Sequence, residues 1–230
     1  MTTLPSTDNK QNVFANTVIG LGLAGIVCVI LIYLQPSLAI PETLLASEKL
    51  AWYLTRASGV VGYLLMTAST LWGLLLSTKL AKQLVPPWLS LAMHNYLSWA
   101  AIGISAFHAF VLLFDSYYTY TVADLLIPFT GPYNPMWVGI GTIGFYIMLL
   151  TAVSFYVRKQ IGQKNWRRLH YLTFIAYIMS TLHGYMAGTD ASLLMPVYIG
   201  SGLATLFLTL YRILAAGQKP AHRRAARQRG

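Results

Sequence analysis

A chain of 230 residues fits one domain by length, but 56% hydrophobic residues, 10% charged residues and a mean hydropathy of +0.57 exclude an ordinary soluble globule. The apolar excess falls in discrete helix-length runs, which points to a multi-span membrane bundle. The net charge of +10 suits membrane orientation better than nucleic-acid binding, and the lone Cys28 excludes an intrachain disulfide or a cysteine-based metal site.

Taken in order, the chain predicts six spans, over residues 13–34, 52–77, 88–114, 136–157, 166–186 and 195–215. Each is close to the ~20 residues that cross a ~30 Å hydrocarbon core. Lipid offers the backbone no hydrogen-bond partner, so an all-α, polytopic six-transmembrane-helix bundle is the expected fold. Residues 1–12 form a short leading segment, 13–215 the transmembrane domain and 216–230 a basic tail. The first run has a competing reading as a signal sequence, because small residues follow it near Ser37–Leu38–Ala39. Its length, and Lys10 as its only upstream basic residue, favour an uncleaved span.

Orientation follows from charge. With six spans, both termini and the loops after spans 2 and 4 share one side, and that side holds fourteen of the sixteen Lys and Arg residues. The other side has only Lys49 and Arg56, together with Glu42, Glu48, Asp115, Asp124 and Asp190. The positive-inside rule makes both termini cytoplasmic, in a plasma membrane of the bacterial inner type. The long loop 115–135 is then external. Its stretch ADLLIPF reads as a short amphipathic turn, and Tyr117, Tyr118, Tyr120, Phe129 and Tyr133 as an interfacial aromatic belt. The tail after Arg212 is suited to anionic lipid.

Spans 3 and 5 each carry two histidines: His94 and His108, with thirteen residues between them, and His170 and His183, with twelve. An ionisable group inside a span is costly and marks a functional site. Both spans run from inside to outside, so His94 and His170 lie near the cytoplasmic ends, and His108 and His183 near the external ends. At 1.5 Å per residue each pair on one helix is about 20 Å apart. Two imidazoles on one iron give a six-coordinate haem with no position left for a substrate, which suits electron transfer. The expected cofactor is haem b, in two copies or one, clamped between helices 3 and 5. Zinc fits less well, because each depth supplies two imidazoles and no thiol or carboxylate to complete a tetrahedral set.

The angular arithmetic is uneven. Fourteen steps of about 100° return His108 to within ~40° of His94, whereas thirteen steps leave His183 ~140° from His170 on one straight helix. A helix crossing or an irregular turn has to absorb that offset. For the anionic haem propionates, Arg167 and Arg168 one turn before His170 are candidate partners, and lipid phosphate competes for them. Arg56, the basic residue at the external end of span 2, is a candidate for an outer propionate or an external acceptor site. Gly59, Gly62, Gly103 and Gly184 allow helices or a flat macrocycle to approach closely. Trp72, Trp99, Phe107, Phe174 and Tyr177 read first as core aromatics, with a place beside such a cofactor as the competing reading.

The histidine spacings on the third and fifth of six spans resemble the ferric reductase-like transmembrane domain, the family of NADPH oxidases, ferric reductases and the haem-binding subunit of bacterial methionine sulfoxide reductase. LTRASG in span 2, DLLIPF in the outer loop and WRRLH…LHGYMAGTD around span 5 extend the resemblance over about Ala51 to Leu214. It implies that His94 with His170 holds an inner haem, that His108 with His183 holds an outer one, and that electrons cross the membrane to an external acceptor. Relatives of the eukaryotic type continue into flavin and nicotinamide domains. Here about fifteen residues follow the last span and no GxGxxG stands in a strand–turn–helix context, so a separate flavoprotein or a membrane quinol is the expected donor. A quinol-linked cytochrome b-like subunit of a respiratory or photosynthetic complex is one competing reading. A structural or haem-sensing membrane subunit is another.

Overall fold

The computed structural model describes residues 49–78 and 86–217. The predicted first span, the leading segment, the loop after span 2 and the end of the basic tail lie outside the described residues. Among the described residues all regular structure is helical. The long elements are α1 (Leu50–Thr78), α2 (Pro87–Val111), α4 (Pro135–Ser154), α7 (Leu172–Ala187) and α8 (Ala191–Gly217). The short ones are α3 (Val122–Leu126), α5 (Arg158–Ile161) and α6 (Gln163–His170). Prolines stand at the first turn of α2 and α4, where a missing N–H costs nothing.

Among the described residues four stretches are long and apolar enough to cross a membrane: Leu50–Ser77, Trp88–Phe114, Pro135–Ser154 and Ala191–Ala215. They match four of the six predicted spans, and they are consistent with a multi-pass membrane protein. The side-chain distribution agrees with that, because it is inverted relative to a water-soluble bundle. Ser58, Thr67, Ser69, Thr151 and Ser154 are buried, while Leu203, Phe207 and Leu214 are more than 60% exposed along α8. Hydroxyls such as Ser58 and Ser154 donate back to their own helix, to Leu54 and Thr151 carbonyls. That lets polar residues face the interior, with apolar ones left for lipid.

The predicted fifth span is not one helix. α6 ends at His170, Tyr171 is a turn, and α7 begins at Leu172. At the join the Tyr171 amide is shared between the Arg167 and Arg168 carbonyls, and the Phe174 amide reaches back only three residues to Tyr171. α7 alone has sixteen residues, about 24 Å, short of a full crossing. α8 starts a turn earlier than predicted, because Pro196 lies inside the helix and does not begin it.

Contacts fix the relative directions of the helices. Ser69 meets His94 and Thr55 meets His108, so α1 and α2 are antiparallel. Trp137 meets His183, and Gly144 lies against Met179, so α4 and α7 are antiparallel too. α2 and α7 run parallel. A small core of Tyr63, Met66, Ala101 and Tyr177 joins α1, α2 and α7. Tyr63 ties it to α8 through Ser201 at 2.7 Å and to α7 through Tyr177 at 3.3 Å and Thr181 at 3.2 Å.

The 115–135 loop folds back on α4. α3 is opened by a capping box in which the Thr121 hydroxyl accepts from the Asp124 amide while the Asp124 carboxylate accepts from the Thr121 amide. Those bonds from Thr121 hold the Asp124 carboxyl below the usual carboxylate range. Phe129 adopts φ 72° and packs on Gly139, where any side chain would collide with it. Tyr117 and Tyr118 are exposed as a belt requires, but Tyr120 is buried beside Gly131, and burial pushes its hydroxyl up to about 12.

Candidate functional site

The two helices with paired histidines bring all four rings together by depth. His94 on α2 faces His170 at the end of α6, with ring centres 6.1 Å apart and planes at 79°. His108 on α2 faces His183 on α7, with ring centres again 6.1 Å apart and planes at 80°. The equality of the two separations has a simple meaning. A metal–imidazole bond of about 2.0 Å, added to about 1.1 Å from ring nitrogen to ring centre, puts two imidazoles on one ion with centres about 6.2 Å apart. Each ring-centre separation is within about 0.1 Å of that value.

A continuous α2 keeps His94 and His108 on one face. The ~140° offset holds for one straight helix, and the run is interrupted at Tyr171, between the two histidines. His170 belongs to α6 and His183 to α7.

Three of the four rings are oriented by a backbone carbonyl. His108 Nδ1 lies 2.7 Å from the Thr55 carbonyl, His183 Nδ1 2.9 Å from the Trp137 carbonyl, and His94 Nδ1 3.1 Å from the Ser69 carbonyl. A carbonyl only accepts, so Nδ1 carries the proton in each case and Nε2 keeps its lone pair free for a metal. This is the arrangement that orients metal-ligating histidines generally. His170 differs: its Nδ1 is buried without a hydrogen-bond partner, and its ring stacks on Trp166 at 5.2 Å and 23°.

A cavity of about 310 Å³ surrounds the His94–His170 pair, walled by residues that include Trp99 and Phe174, with Arg167 and Arg212 also on its lining. Of the arginines singled out from sequence, Arg167 lines this cavity; Arg168 is exposed and does not. Arg212 on α8, which the sequence offered only as an orienting charge, reaches the Tyr171 hydroxyl at 3.4 Å and lies over its ring. Arg56 is committed elsewhere. Its guanidinium donates to Asp190 at 2.6 Å and to Thr189, and it lies 4.6 Å over the Trp52 ring. Of the aromatics, Trp99 and Phe174 line the cavity, Trp72 donates to the Ser90 carbonyl at 2.8 Å, and Tyr177 is in the core. Among the described residues no three His, Cys, Asp or Glu side chains converge, so each candidate centre consists of two imidazoles. No family model matches the chain, and no curated protein or solved structure does so either.

Proposed function

We propose that this chain is a di-haem b-type transmembrane electron carrier of the ferric reductase-like kind, the membrane component of a reductase or oxidase system. The observation that carries the reading is the pair of facing imidazoles at two depths, each with its gap at the width of one ion. His94 with His170 would hold the inner haem and His108 with His183 the outer. The inner cavity is compatible with a macrocycle edge, with Arg167 and Arg212 placed for the propionates. In this reading α6 with α7 make a broken fifth span beside the four continuous ones.

A haem bound at each pair supplies a one-electron ferric–ferrous couple. The residues do the rest. With two imidazoles holding each haem, no position would be left for substrate or water to compete. The apolar lipid-facing shell keeps bulk water away. The two depths are about 21 Å apart along α2, so the four histidines span most of the hydrocarbon thickness. One electron at a time enters at the cytoplasmic depth, from a flavoprotein or a quinol, and leaves at the external depth to an acceptor or partner subunit. Arg56, paired with Asp190, braces the external ends of α1 and α8 in this scheme and stays the candidate for an outer propionate or an external acceptor.

The test is haem content and optical spectrum of the purified chain. The reading requires reducible b-type bands at about two haems per chain. His108→Ala and His183→Ala should each lose the outer haem and spare the inner. A wild-type chain that folds and binds no haem would overturn the proposal.

A further inference from the structure

Each of the three carbonyl-bonded histidines lies against a glycine, and the glycine always stands four residues after the carbonyl. His108 rests on Thr55 and Gly59, His94 on Ser69 and Gly73, and His183 on Trp137 and Gly141. A Cβ at Gly59 would come within 3.0 Å of the His108 ring, at Gly73 within 3.1 Å of His94, and at Gly141 within 2.7 Å of His183. Helical side chains lean toward the N-terminus, so the residue at position i+4 covers the carbonyl of residue i. That carbonyl already accepts the helical N–H, and its second lone pair is reachable from the side only if the cover is absent. Glycine removes the cover.

We propose that Gly59, Gly73 and Gly141 are positioning residues, each opening one helix carbonyl so that a histidine docks on it through Nδ1 and presents Nε2 to the metal. The inference rests on the haem reading for the metal's identity, but the tautomer claim stands without it. The register supports a built device. Thr55 and Ser69 are fourteen residues apart on α1, as are Gly59 and Gly73, and so are His94 and His108 on the antiparallel α2. The outer pair thus has two such docks, and the inner pair has one, because His170 lacks a carbonyl partner. Close packing alone does not account for the set. Gly103 on the same α2 has nothing within 4 Å of where a Cβ would be, and Gly62 meets only Ile104 and Ser105.

The experiment compares the full-length wild type with Gly59→Ala, Gly73→Ala, Gly141→Ala and the control Gly103→Ala. In the haem-free chain, nitrogen-15 histidine NMR reads the tautomer directly. The wild type should show Nδ1–H at His94, His108 and His183, and Gly59→Ala should return His108 alone to Nε2–H. In the haem-loaded chain, a redox titration should move the outer couple in Gly59→Ala and Gly141→Ala and the inner couple in Gly73→Ala. The shift should be upward, because a histidine that loses its carbonyl bond is a poorer electron donor. About tenfold in the reduction equilibrium is expected, ~59 mV for one electron. Gly103→Ala should change neither readout. Gly59→Ala and Gly73→Ala meet only ring edges that can yield slightly, so at least these two are expected to fold if Gly141→Ala does not. Folded variants that keep the wild-type tautomers, or the wild-type couples with haem bound, would overturn the proposal. Absence of haem from the wild type would sink the haem reading and leave the tautomer result to decide this one.

Discussion

At the scale of single residues, the site depends on where each imidazole sends its two nitrogens. Four histidines in apolar helices were legible in the sequence, since ionisable groups there are conspicuous and their spacing sets their depths. Their orientation was not. The partners are backbone carbonyls of Thr55, Ser69 and Trp137, which no composition or pattern reveals. Only the glycines left a trace, as the repeated fourteen-residue interval between Gly59 and Gly73. Arg212 escaped notice because a basic residue near a span end reads as a topology signal. Ring orientation gives a spectroscopic expectation. Imidazole planes near 80° to one another predict a strongly anisotropic low-spin ferric signal in frozen-solution electron paramagnetic resonance of the loaded protein. A rhombic signal of the kind given by parallel planes, at both centres, would show that the rings turn when metal binds.

Among elements, the break at Tyr171 and the polar knot around Tyr63 position the two depths. A straight fifth helix was the simplest reading of an unbroken apolar run, and it misaimed one ligand; nothing in WRRLHYLTF announces a turn to a pattern search. The Tyr63 hydroxyl joins α1, α7 and α8, yet its partners have second bonds: Ser201 donates to the Tyr198 carbonyl and Thr181 to the Tyr177 carbonyl. Tyr63→Phe should therefore cost only about 1 kcal/mol, a typical interhelical hydrogen bond in a membrane. Thermal unfolding in detergent checks this, and a loss several times larger would mean that the partners are left unsatisfied. In the outer loop, the Asp124 carboxyl is held low by its bonds from Thr121. A lowered folded value means that the cap on α3 is fully made above the usual carboxylate range and is lost as pH falls through the lowered value. Protection of the Thr121 and Asp124 amides, relative to their intrinsic exchange rates, should fall only on the acid side, and Asp124→Asn should abolish that dependence. Unchanged protection across that range would contradict it.

For the molecule as a whole, topology and charge argue together. The alternating helix directions set by the Ser69–His94, Trp137–His183 and Arg56–Asp190 contacts agree with consecutive crossings by the described helices. Single cysteines placed at Lys164 and Thr130, in a chain carrying Cys28→Ser, should react with impermeant reagent from opposite faces of sealed vesicles, Lys164 from the cytoplasmic one. Labelling from the same face would break the scheme. The pairing of the histidines by depth was legible in their spacing, whereas the backbone carbonyl that each ring meets required the structure. The central claim is that each facing pair holds one haem. It is tested most directly by the haem-to-protein ratio of the purified chain, measured with a redox titration on the wild type and on His94→Ala and His108→Ala. The account predicts about two haems and two couples, with one couple lost in each variant and a different one each time. A folded chain that binds no haem, or that keeps both couples without these histidines, would contradict it.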